Sequence, residues 1–300
     1  MHRDAHDAAP ISRMPSVRGL DAALGGVRGS LAIVDRFRTT THGTNVEGGD
    51  PGHHASPGLL VRHTVNYLLA ADVADHVMAD GPVLDVGSGV GAFSMWLARR
   101  LERPLHLVDH DAQVLQLARR SFSDVQVHAA LAAAPRAAVV SAMEVLEHLR
   151  YRDQHGFVAA LFAKVVGGGV LVCSTPDERR YLGGWSGYAP HVGVLDAASL
   201  RTLLQVATGQ PAEVWRVDGP GFELGRIQRI VEPVANRVWG RAQTWAPRLS
   251  DRLAGAVGGR RRGSSHGFHP APSSDAFAVT DAEDPANLGT GLLAVVRRPI

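Results

Sequence analysis

Glu144, Glu147, His148 and His191 have the residue types and spacing of an oxygen- and nitrogen-donor site. If the chain turns helical over 144–148, positions i, i+3 and i+4 lie on one face and three polar heads converge. Two carboxylates and an imidazole suit Mg²⁺, Mn²⁺ or Fe²⁺ and are too hard for a thiolate-type zinc site. A fourth ligand is then needed, and His191, in Tyr188-Ala189-Pro190-His191, is the candidate. Without a metal, His148 or His191 would serve as general base, because imidazole titrates near neutral pH. The plainest reading gives neither role: the two glutamates line a cleft or cap a helix, and His148 closes a turn.

A second constellation lies upstream in Val83-Leu84-Asp85-Val86-Gly87-Ser88-Gly89-Val90-Gly91-Ala92. Glycines at 87, 89 and 91 permit a tight turn and leave backbone N–H groups available for close approach to a ligand. Gly87-x-Gly89-x-x-Ala92 satisfies the dinucleotide fingerprint, and Asp109 stands 22 residues after Gly87, where a ribose-binding acid belongs. Asp85 separates the readings. A carboxylate two residues before the first glycine repels a pyrophosphate but organises the loop and faces a cationic, amine-bearing ligand.

These residues need a scaffold, and the apolar pattern supplies one. Ser56-Pro57 reads as an N-cap with proline in the first turn of a helix that stops near Asp80-Gly81-Pro82. Short apolar runs at 83–86, 105–108, 125–127, 139–142 and 170–173 then alternate with helical segments at 92–101, 112–120 and 153–166, followed by a helix from Asp196 to Gly209. That rhythm predicts right-handed βαβ units and a doubly wound, mostly parallel sheet. Strands at 212–217 and 292–296 complete seven, the last antiparallel, with an insertion between them. Ligands of such a sheet gather at the carboxyl ends of its strands, where Glu144 to His148 stand. Cys173 falls in a strand and reads as a small buried hydrophobe.

Three hundred residues, 45% hydrophobic and 20% charged, exclude disordered and collagen-like classes. A lone cysteine excludes an intrachain disulfide, and no 18-residue apolar run predicts a membrane span. The N-terminus leads into no apolar stretch of a signal peptide, so a cytoplasmic protein is expected. A net charge of +2 does not announce a nucleic-acid binder. The total hides a lopsided distribution: 226–262 carries nine arginines against Glu232 and Asp251, whereas 263–289 is acidic and is expected to be disordered. The arginine stretch has helical apolar spacing and two tryptophans, Trp239 and Trp245, which fits a cap over the site, a peripheral contact with anionic membrane, or RNA, in that order. Residues 1–55 are read as a loosely packed arm or a lid, 56–217 with 291–300 as the core, and 218–290 as the insertion.

The successive strings at 83–91, Leu107-Val108-Asp109, Met143-Glu144-Val145-Leu146-Glu147-His148 and 168–176 resemble the motifs of class I S-adenosylmethionine-dependent methyltransferases. The Met-Glu-x-Leu-Glu-His string and the Ser174-Thr175-Pro176 ending are most similar to the group containing the ubiquinone-biosynthesis O-methyltransferases. The resemblance implies a Rossmann-like fold and an enzyme using S-adenosyl-L-methionine, while the use of arginine for almost all positive charge, with the alanine and glycine load, points to a high-GC bacterial genome. Asp85, Gly87, Gly89 and Gly91 would hold its methionine end and Asp109 its ribose hydroxyls, with Ser88 and Met143 as further cofactor-binding residues. Small-RNA 2′-O-methyltransferases look similar at Glu-x-x-Glu-His, where they grip a divalent metal, which implies Mg²⁺ or Mn²⁺ on Glu144, Glu147, His148 and His191. Departures exist: His128-Ala129-Ala130-Leu131 lacks the acid often found after the third strand, Ala137-Ala138 replace an aromatic-Asp pair, and Gly167 replaces a proline.

The expected activity is O-methylation of a phenol, quinone-like, lipid or secondary-metabolite hydroxyl, with Glu144, His148 and His191 at the acceptor end. The alternatives are metal-independent N- or C-methylation, a cofactor-binding protein without catalysis, and, remotely, a nicotinamide-dependent dehydrogenase.

Overall fold

The computed structural model describes residues 14–37, 57–181, 183–222, 233–234, 272–284, 286–287 and 289–300. Among the described residues, six α-helices and eight strands run in the order α1 (Leu20–Phe37), α2 (Pro57–Ala74), β1 (Val83–Val86), α3 (Ala92–Arg100), β2 (Leu105–Val108), α4 (Ala112–Ser121), β3 (Val125–His128), β4 (Ala137–Met143), α5 (Tyr151–Lys164), β5 (Val165–Pro176), α6 (Ala197–Thr208), β6 (Ala212–Asp218), β7 (Ala278–Asp281) and β8 (Gly291–Arg297). They form one sheet in the order β3-β2-β1-β4-β5-β8-β6-β7. β1 to β5 pair in parallel, and β8 inserts antiparallel between β5 and β6. The doubly wound, mostly parallel architecture with an antiparallel last strand is therefore present.

The strand order reverses between β1 and β4, so a crevice opens beyond their carboxyl ends. The glycine loop after β1 and the Glu144–His148 segment after β4 both empty into it. β1 and β4 are buried along their whole length, with Val83, Leu84, Val139, Val140 and Ala142 fully covered. Their near-continuous apolar runs follow from helices covering both faces. One face packs α1 to α4, and the other α5 and α6. Cys173 lies in the second core, and burial pushes its thiol up to about 12, as expected of a small hydrophobe. Among the described residues no helix is long and apolar enough to cross a membrane.

Two elements depart from the sequence reading. Residues 20–37 of the expected loose arm form α1, which packs on α2, α3 and α4. Gly25, Gly26 and Gly29 hide this helix from a propensity reading, each costing about 1 kcal/mol relative to alanine. Burial of Leu20, Leu24, Val27 and Val34 outweighs that cost at about 2 kcal/mol per side chain. Gly26 also has a positive reason, since a Cβ there would lie 2.5 Å from the Trp96 ring. The second departure is β7, an eighth strand paired to β6 inside the stretch expected to be disordered. The arginine-rich stretch 226–262 lies outside the described residues except for 233–234.

The base of the insertion is pinned to the core by a buried cation. Arg216 on β6 donates to Asp177 Oδ2 at 2.7 Å and to the carbonyls of Ala282 and Gly289. Asp177 N–H in turn donates to Thr290 O, and Thr290 Oγ1 donates to Phe222 O. Phe222, where the chain leaves β6, and Thr290, where it enters β8 after pairing through β7, thus lie at adjacent points, which allows the long excursion between β6 and β8.

At the far edge, His106 on β2 and His128 on β3 stack, with Nδ1 and Nε2 3.0 Å apart. Burial, and for His106 the charge of His128, lowers the His106 pKa below 6.5. Burial, Lys164 and Arg119 do the same for His128. Below about pH 6.5 the unfolded chain therefore binds more protons than the folded one, and stability falls as pH falls. Urea midpoints taken from about pH 7 to pH 5 should decline less steeply in His128→Gln than in the wild type. Equal slopes would remove the pair from the account.

Candidate active site

Asp85 is fully buried at the end of β1, and its carboxylate ties together four elements. Oδ2 accepts hydrogen bonds from Tyr67 Oη on α2 at 2.7 Å and from Ser94 Oγ on α3, and Oδ1 accepts from Ser141 Oγ on β4 at 2.6 Å. Burial raises its pKa against the lowering pull of these hydroxyls, and raises that of Tyr67 well above 10, which keeps the phenol a donor. Asp85 therefore acts first on the loop, by fixing where β1 stops relative to α2 and α3.

The loop is tied by its N–H groups, mostly to the end of β2. Gly87 and Ser88 N–H donate to Val108 O, Gly91 N–H to Ser88 O, and Gly89 N–H to Asp109 Oδ2 at 2.9 Å. The expectation that these N–H groups stand available for a ligand is corrected here: a helix N-terminus that cradles phosphate needs them unspent, and these four already have acceptors. Asp85 and Asp109 beside the loop further disfavour a pyrophosphate. Asp109 Oδ1 meanwhile accepts from Asp111 N–H, so the acid at the end of β2 is held in place. Gly87, at φ 74°, is required for a second reason, because a Cβ there would lie 2.5 Å from Val145 Cγ2. The glycine loop and the segment after β4 thus touch across the crevice. Ser88 is half-buried in the loop, and Met143 is buried at the end of β4.

Glu144 does not begin a helix. Its φ of 55° is left-handed, unusual for a non-glycine residue, and only 146–148 make a short 3-10 turn. Its carboxylate pairs with Arg62 on α2 and accepts from Asn66 Nδ2 and Ser174 Oγ, both at 3.3 Å. The one-face convergence read from i, i+3, i+4 spacing therefore fails for Glu144. The structure brings together the other three: Glu147, His148 and His191 offer ligand atoms all within 4.8 Å of one another.

Within this group Glu147 is completely buried, Oε2 accepts from Thr175 Oγ1 at 3.0 Å, and Oε1 has no hydrogen-bond partner among the described residues. Burial, then the nearby Glu144 charge, raise its pKa to about 8. A buried carboxylate oxygen without a donor is a costly arrangement that a bound cation relieves. His191 is placed by its backbone: Val192 and Gly193 N–H donate to Glu147 O, and Trp185 Nε1 donates to His191 O. The His148 and His191 rings meet edge to face, with centroids 4.8 Å apart. His191 Nδ1 bonds to the buried Glu178, whose carboxylate also accepts from Ser186 N–H and Oγ. Burial alone would raise the Glu178 pKa, but His191 and Ser186 outweigh it and hold the group below its ordinary value.

Sequence reading did not single out Arg62, Asn66, Ser94, Ser141, Glu178 or Ser186. A usable signal existed for two of them, since Arg62 and Asn66 are polar residues at i, i+4 on a largely apolar helix.

The family model described as "Methyltransferase domain" matches residues 58–207. Among solved structures, a putative sarcosine dimethylglycine methyltransferase from Galdieria sulphuraria aligns over 92% of this chain and 98% of its own, at 9% identity and a TM-score of 0.50. A SAM dependent methyltransferase from Archaeoglobus fulgidus covers 79% and 94%, at 12% identity and a TM-score of 0.49. A phosphoethanolamine N-methyltransferase of Haemonchus contortus, in complex with S-adenosyl-L-methionine, covers 77% and 52%, at 12% identity and a TM-score of 0.45. No curated protein matches the chain. At such identities the likeness is one of fold.

Proposed function

The chain belongs to the methyltransferase-domain family and is a class I S-adenosylmethionine-dependent methyltransferase, and from that premise we propose that it methylates a hydroxyl oxygen of a small molecule with help from a divalent cation. The observation that carries the proposal is the convergence of Glu147, His148 and His191, with one oxygen of the buried Glu147 carboxylate lacking a donor among the described residues. The donor set is one carboxylate and two imidazoles, which fits Mn²⁺ or Fe²⁺ well and Mg²⁺ less well. A cation there would lower the pKa of a coordinated hydroxyl and orient its oxygen toward the sulfonium methyl.

The chain's own residues divide the remaining work. Asp85, through Tyr67, Ser94 and Ser141, sets the loop that receives the methionine end, and Asp109 stands at the end of β2 for the ribose hydroxyls. Glu144, drawn to Arg62, shapes the wall between α2 and β5 and is not a cation ligand in this reading. In the transfer, the acceptor oxygen forms a bond to the methyl carbon as the carbon–sulfur bond breaks, and the hydroxyl proton leaves to an imidazole or to water. The ubiquinone-type likeness favours a catechol or phenol acceptor. N-methylation without metal is the second reading.

Transfer of radiolabel from S-adenosylmethionine into a panel of catechols, phenols and amines, with EDTA and then Mn²⁺ restored, tests both. The proposal expects label in a hydroxyl compound, lost with EDTA and regained with Mn²⁺. Label in an amine, or activity that survives exhaustive EDTA unchanged, overturns it.

A further inference from the structure

Glu178 belongs to no motif, yet its surroundings are built to do one thing to one neighbour. It is almost completely buried just after β5, and among the described residues its carboxylate accepts hydrogen bonds from Ser186 and His191. Ser186 N–H reaches Oε2 at 3.1 Å, while Ser186 Oγ at 2.6 Å and His191 Nδ1 share Oε1. The Tyr188 ring stands edge-on to the imidazole at 5.0 Å, and His191 N–H donates to Tyr188 O, so ring and backbone are both confined.

We propose that Glu178 is a positioning residue for His191, holding the imidazole in the Nδ1–H tautomer so that Nε2 carries the lone pair toward Glu147 and His148. An ionised carboxylate can only accept, so the nitrogen that meets it must bear the hydrogen. The lone pair then falls on Nε2, the nitrogen needed by a cation or by a hydroxyl proton. The inference deepens the proposed reading of this site and rests on it for its consequence, although not for the tautomer.

The geometry makes Glu178→Gln a sharp probe. Ser186 N–H is a fixed backbone donor, so the glutamine carbonyl must take the Oε2 position to accept from it. The amide NH₂ then occupies the Oε1 position. The Ser186 hydroxyl can rotate to accept, but Nδ1 of His191 must lose its hydrogen, which moves to Nε2. The substitution should therefore invert the tautomer without removing an atom from the site.

Long-range ¹H–¹⁵N correlation of the histidine rings near pH 8, with His191 assigned by its absence in His191→Gln, reads this without metal or acceptor. The wild type should show Nδ1–H and Glu178→Gln should show Nε2–H. Mn²⁺ titration of the same proteins should show affinity falling about 10–100-fold in Glu178→Gln, the usual effect of removing a carboxylate behind a ligating histidine. Ser186→Ala, which keeps the carboxylate, should retain the wild-type tautomer and guards against a Glu178→Gln chain that does not fold. Nε2–H in the wild type, or an unchanged tautomer in folded Glu178→Gln, overturns the proposal. An inverted tautomer in a protein whose wild type binds no Mn²⁺ leaves the positioning role standing and defeats the cation reading.

Discussion

Asp85→Ala is expected to destabilise the protein by about 3 kcal/mol, on the order of 6–12 °C in Tm for a domain of this size, and to weaken S-adenosylhomocysteine binding at least about tenfold. The stability term arises because Tyr67, Ser94 and Ser141 would each lose an acceptor inside the core. Relief of a buried charge offsets part of this, which is why the sum falls below three full orphaned hydroxyls. The binding term arises because those hydroxyls anchor α2, α3 and β4 around the loop, and an unanchored loop must be ordered by the ligand. Asp85→Asn separates the two effects, since hydroxyls can rotate to suit an amide. If Asp85 also meets the cofactor ammonium directly, Asn should keep most of the stability and lose the binding. Urea denaturation and calorimetry on both variants decide, and an Ala variant unchanged in both would refute the anchoring account.

Glu147→Gln is expected to eliminate Mn²⁺ binding while leaving the chelator-treated protein at least as stable as the wild type. In the wild type, Oε1 is buried without a donor and Glu144 lies close enough to oppose ionisation, so the carboxylate costs stability unless a cation arrives. Glutamine keeps the volume, can accept from Thr175 Oγ1, and carries no charge. Thermal melts with EDTA and with Mn²⁺ read both halves. The wild type should gain Tm with saturating Mn²⁺, as any ligand of the folded state produces, and Glu147→Gln should not. A variant that melts well below the wild type in EDTA would show that Glu147 is a structural acceptor, and a retained Mn²⁺ shift would place the cation elsewhere.

The two variants test different depths of legibility. The importance of Asp85 was readable, because a carboxylate inside a strand next to a glycine turn is chemically conspicuous. Its three hydroxyl partners were not, since Tyr67 lies on a helix before β1 and Ser141 on β4, 56 residues away. For Glu147, His148 and His191 the residue types revealed the candidate set. The exclusion of Glu144 depended on a left-handed backbone at one residue and on Arg62 arriving from α2, 82 residues upstream. Glu178 carried no local signal, and its role exists only because the turn at 186–191 folds back onto it.

The alternation of short apolar runs with helical stretches determined the doubly wound sheet, because period and run length are local properties of the chain. The order of the glycine loop, Asp109 and the Glu-x-x-Glu-His string likewise determined the family, since motif spacing survives without coordinates. Tertiary structure decided what those residues do to each other. It spent the loop N–H groups largely on the end of β2, turned Glu144 away, left one oxygen of Glu147 without a donor among the described residues, and set Glu178 behind His191. Each outcome depends on which distant element supplies the hydrogen-bond partner, and burial makes that choice consequential, because a buried polar group left unpaired is costly.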